Sequence, residues 1–159
     1  MLVIPARVKV IVVMSALALA ALALAGASAA KPIDDADHGG RPLSTELTGA
    51  AEVPGPGDPD GSGTATITVN LGQEEVCWEI NAAEIVLPAA AAHIHIGTAG
   101  EAGPVVVPLS APDASGFSSG CTTVDRALAK DILKNPEDYY VNVHTSVFPA
   151  GAIRGQLSK

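Results

Sequence analysis

Thr64-Ala-Thr-Ile-Thr-Val-Asn-Leu71 is the stretch that decides the fold, because apolar and polar side chains alternate along it without a break. Alanine, isoleucine, valine and leucine share one face, while the three threonines and the asparagine share the other. A period of two is typical of a half-buried antiparallel strand. The alternation resumes in Val76–Ile80, so the two runs predict a hairpin with a loop of about four residues.

Similar short runs occupy most of the remaining chain. They lie at Thr45–Thr48, Ile85–Leu87, Ala92–Ile96, Pro104–Leu109, Tyr139–Thr145 and Ala152–Leu157. Turn residues separate them, and Asp113–Ser119 reads as a loop of small residues. The pattern predicts an all-β fold, an antiparallel sandwich or flattened barrel of about seven or eight short strands.

One segment has a helical period instead. Val124, Leu128 and Ile132 recur every four residues, and Asn135-Pro136 ends the pattern. Thr123 is of a residue type that caps helices. We therefore expect one short helix near residues 123–134, with Thr123 as its cap.

The first thirty residues have the pattern of a secretory signal. Arg7 and Lys9 precede an apolar run from Val10 to Ala25, which ends in small residues suited to cleavage. The alternative, an uncleaved anchor helix, needs about 20 apolar residues. We expect a signal peptide over 1–30, a flexible linker over 31–44 and a β domain over 45–159, with no stable membrane span after cleavage.

Charge narrows the range of partners. Removing residues 1–30 leaves seven basic against seventeen acidic residues, a formal charge of −10. Nucleic acid repels such a chain, and no run of basic residues offsets the repulsion. We therefore exclude nucleic acid and expect an extracellular or envelope partner of unknown identity, with the protein secreted or periplasmic.

The chain has two cysteines, Cys77 and Cys121. In a chain sent to an oxidising compartment, a disulfide between them is the expected state. Its 44-position loop would contribute about 4 kcal/mol in the chain-entropy model. Two buried free thiols remain the alternative.

The candidate site residues are polar side chains on apolar strands. His93 and His95 are two apart, so both emerge on one face of their strand. Asn142 and His144 repeat this spacing, and so do Arg154 and Gln156 on the last strand. Pairing His144 with Arg154 and Asn142 with Gln156 would give a wholly apolar opposite face, and a one-residue slip would not. The prediction is a polar stripe of four residues: Asn142, His144, Arg154 and Gln156.

Two interpretations of the histidines stay open. If the strands are neighbours, His93, His95 and His144 could hold a divalent transition metal, zinc or copper, with water completing the shell. In the other interpretation, the imidazoles donate hydrogen bonds to loop carbonyls and hold the segment Gly97–Gly103 in place. The second is favoured at this point, because no carboxylate lies near these histidines in the sequence.

Five segments resemble the CHRD domain, the module named after repeats in chordin and also found singly in secreted bacterial proteins. They are Leu47-Thr-Gly-Ala-Ala-Glu-Val-Pro54, Ala92-His-Ile-His-Ile-Gly97, Gly103-Pro-Val-Val-Val107, Asn135-Pro-Glu-Asp-Tyr-Tyr-Val-Asn-Val-His-Thr145 and Phe148-Pro-Ala-Gly-Ala-Ile-Arg-Gly-Gln-Leu157. The resemblance covers about residues 45–158. It implies an extracellular, β-rich domain and fits a Cys77–Cys121 disulfide, but it carries no established activity to this chain.

Two functions from different classes follow. The favoured one is a non-enzymatic, exported binding or structural module that needs no cofactor. The alternative is a zinc- or copper-binding domain that uses the three histidines. We do not expect an enzyme, since the chain has no Cys-x-x-Cys, no Gly-x-Ser-x-Gly and no phosphate-binding loop.

Overall fold

The computed structural model describes residues 39–159, so the signal segment 1–30 and linker residues 31–38 lie outside the described residues. Eight strands and one α-helix make up the domain. The strands are β1 (Arg41–Thr48), β2 (Ser62–Asn70), β3 (Glu75–Ala83), β4 (Ala91–Ile96), β5 (Val105–Leu109), β6 (Phe117–Thr123), β7 (Tyr139–His144) and β8 (Ile153–Gln156), and the helix is α1 (Arg126–Lys134).

All eight strands join one antiparallel sheet in the order β5-β4-β7-β8-β1-β2-β3-β6. The sheet curls into a nearly closed barrel. Its two edge strands approach each other, since the Ser118 hydroxyl of β6 donates to the carbonyl of Ser110, one residue beyond β5, at 2.6 Å. The predicted all-β fold of seven or eight short strands with one helix is confirmed.

The apolar faces of the strands point into the barrel and form one core. Ile67, Ile94 and Val141 are fully buried there. Helix α1 adds Ala129 and Ile132 to the same core, both fully buried. Among residues 39–159, no helix has both the length and the apolar composition needed to cross a membrane.

The linker and the helix begin at different residues from those predicted. The linker does not extend to residue 44, because Arg41–Ser44 is already part of β1 and pairs with β2. The helix begins at Arg126, and its cap is Asp125, whose carboxylate accepts from the Ala127 amide at 2.7 Å. The predicted cap, Thr123, instead ends β6. An aspartate at the cap satisfies a free amide of the first turn as well as a threonine would.

Two strand predictions were wrong: a strand was predicted as a loop, and a non-strand segment was predicted as a strand. The expected loop Asp113–Ser119 contains the start of β6, and Ile85–Leu87 is not a strand. Small polar residues have weak strand preferences of their own, so pairing with β3 decides the conformation of β6. Cys77 and Cys121 are directly opposed across these strands and form the disulfide, which confirms that prediction.

Candidate metal centre

Pairing between β4 and β7 brings the three histidines of the described residues together. His93 lies opposite Asn142, His95 opposite Tyr140, and Ala91 opposite His144. Directly opposed residues share a face of the sheet. All three imidazoles therefore emerge on the outer face, while Ile94 and its neighbours fill the core.

The imidazoles are close enough to share an ion. Their ring centroids are 5.1 Å apart for His93 and His144, 5.5 Å for His93 and His95, and 6.3 Å for His95 and His144. One nitrogen from each ring lies within 4.8 Å of the other two. His93 and His144 are half-buried, so the cluster can be reached from solvent.

Backbone carbonyls orient two of the rings. His95 Nδ1 lies 2.8 Å from the Gly103 carbonyl, and His144 Nδ1 lies 3.1 Å from that of Pro149. A carbonyl oxygen only accepts, so each Nδ1 donates a proton and each neutral ring keeps its lone pair on Nε2. This contact to a second group is the one that metal-binding histidines commonly make.

The two Nε2 atoms have different surroundings. His144 Nε2 accepts a hydrogen bond from His93 Nδ1 at 3.2 Å. His95 Nε2 is buried and has no hydrogen-bond partner among residues 39–159. A buried polar atom without a partner costs about 1–3 kcal/mol, so such an atom calls for an explanation.

The cluster favours neutral imidazoles. Burial lowers the pKa of His93, His95 and His144, and for His93 the neighbouring imidazoles His144 and His95 lower the pKa further. Neutral imidazole is the form that binds transition metals. The lowered pKa values therefore favour the protonation state that binds a metal.

The polar stripe exists, but its strand register differs from the predicted one. Asn142 pairs with Arg154 and Tyr140 with Gln156, a shift of two residues from the predicted pairs. A two-residue shift leaves every side chain on its face, so the apolar and polar faces are unchanged. The hydrophobic pattern alone does not distinguish these two registers.

Arg154 and Gln156 hold the loop 97–103 over this face. Arg154 is buried and donates to the carbonyls of Glu101 at 2.8 Å and Thr98 at 3.0 Å. Gln156 Nε2 donates to the Gly97 carbonyl at 2.7 Å. Of the three imidazoles, His95 contacts the same loop, through Nδ1 and the Gly103 carbonyl, whereas the His144 contact is to Pro149 outside it.

Two members of the site were not found from the sequence. The Tyr140 ring stacks on His95, with centroids 4.7 Å apart, and Arg154 lies 3.4 Å from the centre of the same ring. Glu52 is buried, and both its oxygens accept from Asn142 Nδ2, at 2.7 and 2.9 Å. The available signal for Glu52 was an acidic residue within the otherwise apolar stretch 49–54.

The fold and the cluster together define a small, disulfide-linked β domain with three imidazoles on one outer face. The chain belongs to the CHRD domain family, whose model matches residues 43–157. No curated protein and no solved structure matches the chain. Family membership and the disulfide fit an oxidising compartment.

Proposed function

We propose that this domain binds a divalent transition metal ion through His93, His95 and His144. The observation that carries the proposal is the buried lone pair of His95 Nε2, which has no partner among the described residues and belongs to one of the three clustered imidazoles. A metal ion supplies the partner that the protein does not.

The spacing of the nitrogens supports this role. Two ligands at about 2.0–2.1 Å from a tetrahedral ion lie roughly 3.3 Å apart. His93 Nδ1 and His144 Nε2 are separated by 3.2 Å. These two nitrogens need little movement to share an ion once the proton between them has moved to His93 Nε2, and one nitrogen of each of the three rings lies within 4.8 Å of one nitrogen of each of the others.

The ligand set selects the kind of metal. Three neutral imidazoles without a thiolate or a carboxylate suit zinc and copper better than magnesium or calcium, which prefer oxygen. Copper(II) binds such sites more tightly than zinc by the general affinity order of divalent metals. We propose that the bound ion is zinc or copper(II), and that the concentrations of the two ions around the protein decide which one binds.

Stoichiometric metal binding by the full exported chain, purified without an affinity tag, tests the proposal. The wild-type protein is expected to bind one equivalent of zinc or copper(II), and His95→Asn to lose most of this affinity. Asparagine keeps an amide donor near the Gly103 carbonyl while removing the ring nitrogen Nε2. His38→Ala is the matched control, since it removes the one histidine that the proposal does not use.

Absence of stoichiometric metal in the wild-type protein after incubation with both ions would overturn the proposal. Equal affinity in wild type and His95→Asn would also overturn it. Circular dichroism of each variant establishes that it is folded before the comparison is made.

We further propose that the domain works outside the cytoplasm as a secreted or periplasmic module. The Cys77–Cys121 disulfide and the leader-like residues 1–30 support this location. A role as a binding or structural module remains a prediction, and metal binding is compatible with it. Fractionation of expressing cells tests the location, because a cytoplasmic, full-length product would contradict it.

A further inference from the structure

Asn142 Oδ1 is a second buried side-chain atom that lacks a partner. Within residues 39–159, the buried side-chain nitrogen and oxygen atoms without a hydrogen bond are His95 Nε2 and this oxygen. Both atoms are acceptors. A ring nitrogen with a lone pair needs a Lewis acid or a donor, and an amide oxygen needs a donor.

The strand register places Asn142 within the histidine cluster. It lies directly opposite His93 on β4, and on β7 it is two residues from His144 on the same face. His95 is its diagonal neighbour across the strand pair. Opposed Cβ atoms lie about 5 Å apart and diagonal ones about 7–8 Å apart. Asn142 is therefore a neighbour of all three histidines on the same face of the sheet.

Glu52 sets the orientation of the Asn142 amide. Its two oxygens accept from Nδ2 at 2.7 and 2.9 Å. The nitrogen, which is the donor of the amide, is therefore the atom that faces Glu52 in the structure. The oxygen lies on the opposite side of the planar amide, away from Glu52. Gly151 packs tightly against the contact between Glu52 and Asn142, because a Cβ at that position would lie 2.6 Å from Asn142 Nδ2.

We infer that the metal ion keeps an exchangeable water, or a small hydroxylated ligand in its place, whose O–H donates to Asn142 Oδ1. This inference rests on the proposed function. A single metal–water unit satisfies both buried atoms, since the ion binds His95 Nε2 and its water donates to the amide oxygen. Three protein ligands plus a water are the arrangement of metal sites that admit an external ligand, whereas purely structural zinc sites are closed by four protein ligands.

Asn142→Leu tests the inference, because leucine has a similar size and no acceptor. In the wild-type protein saturated with copper(II), electron–nuclear double resonance is expected to detect protons of an inner-sphere water, which disappear in deuterium oxide. In Asn142→Leu this coupling is expected to change, and the affinity for zinc to fall about 10–100-fold, the range for lost contacts behind a metal site.

Two further variants separate a specific effect from general damage. Asn70→Leu is the matched control, because Asn70 is also buried but lies on β2 and its amide nitrogen contacts Gln73. The double variant Glu52→Gln with Asn142→Asp exchanges the amide and the carboxylate. One oxygen of the new aspartate accepts from the glutamine, and the other remains available to the water. This double variant is expected to restore the water coupling.

The outcomes distinguish the two proposals. If the wild-type protein binds metal but has no inner-sphere water, or Asn142→Leu leaves both the coupling and the affinity unchanged, the inference about Asn142 is overturned and the metal site stands. If the wild-type protein binds no metal, both proposals fail.

Discussion

Two outer faces of the same barrel differ in how far their polar side chains are exposed to solvent. The disulfide face, formed by the outward residues of β2, β3 and β6, exposes Thr64, Thr66 and Glu79 to solvent. The loop-covered face is formed by the outward residues of β4, β7 and β8. Here Asn142 and Arg154 are buried, with 3% and 2% of their surface exposed. Both faces come from strands with the same alternation of apolar and polar residues, so the alternation does not determine which polar residues reach water.

This difference in exposure indicates that the two faces contribute differently to stability and to metal binding. On the disulfide face, a covalent bond links adjacent strands, and Thr64, Thr66 and Glu79 remain solvated. On the loop-covered face, polar groups are removed from water, which is unfavourable unless each finds a partner. We therefore expect changes on the first face to alter stability alone, and changes on the second to alter stability and metal binding together.

The largest stability effect is expected on the disulfide face. Replacing both Cys77 and Cys121 by alanine is expected to lower the free energy of unfolding by about 4 kcal/mol, because the open chain gains the entropy of a 44-residue loop. Urea denaturation measures this loss. Metal affinity of the folded variant is expected to stay at the wild-type value, and a loss of affinity comparable to that of His95→Asn would contradict the division between the faces. The wild-type protein under reducing conditions serves as the control and is expected to match the variant.

A pH-dependent effect of intermediate size is expected from Glu52. Burial raises the pKa of its carboxyl from 4.5 to about 7, while the nearby positive charge of Arg154 acts in the opposite direction. Between these two values the folded protein binds a proton that the unfolded chain has released. The carboxyl therefore lowers stability as pH rises from about 4.5 to 7, by roughly 3 kcal/mol in all.

Glu52→Gln is expected to remove this contribution. The difference in unfolding free energy between the wild-type protein and the variant then changes across that pH interval, as denaturation at several pH values would measure. Glu79→Gln, on the exposed disulfide face, is the matched control. Parallel stability curves for the wild-type protein and Glu52→Gln would show that Glu52 is not buried as described.

The smallest effect is expected from Thr66→Ala on the disulfide face. Thr66 is exposed and lies between Ser44 and Glu79 on the neighbouring strands. Exposed cross-strand contacts of this kind contribute a few tenths of a kcal/mol, so we expect a change of about 0.5 kcal/mol or less and no change in metal affinity. A loss above about 1.5 kcal/mol in urea denaturation would mean that this face is not simply solvated.

Most of the fold was predictable because strand alternation is a local property. The hairpin of β2 and β3, the histidine strand β4 and the final strands β7 and β8 follow from side chains two residues apart. Strand β6 was missed because Ser118, Ser119 and Gly120 have little strand preference of their own. Its conformation depends on pairing with a strand about 40 residues earlier in the chain.

The candidate site was predictable only in part, for a related reason. The shared face of His93 and His95 follows from their spacing, but their distance from His144 depends on which strands are neighbours in the sheet. The register of β7 and β8 was wrong by two residues, because a shift of two preserves both faces. Glu52 joins Asn142 across 90 positions of sequence, a contact with no local signal.

The sequence by itself determined the β architecture, the acidic charge and the face on which each polar side chain emerges, since these depend on composition and on neighbours within a strand. Only the tertiary structure decided which histidines meet, which loop covers them, and that a glutamate orients the asparagine beside them. Contacts between distant segments depend on strand order and loop paths, which are settled by packing of the whole barrel and not by any single stretch of chain.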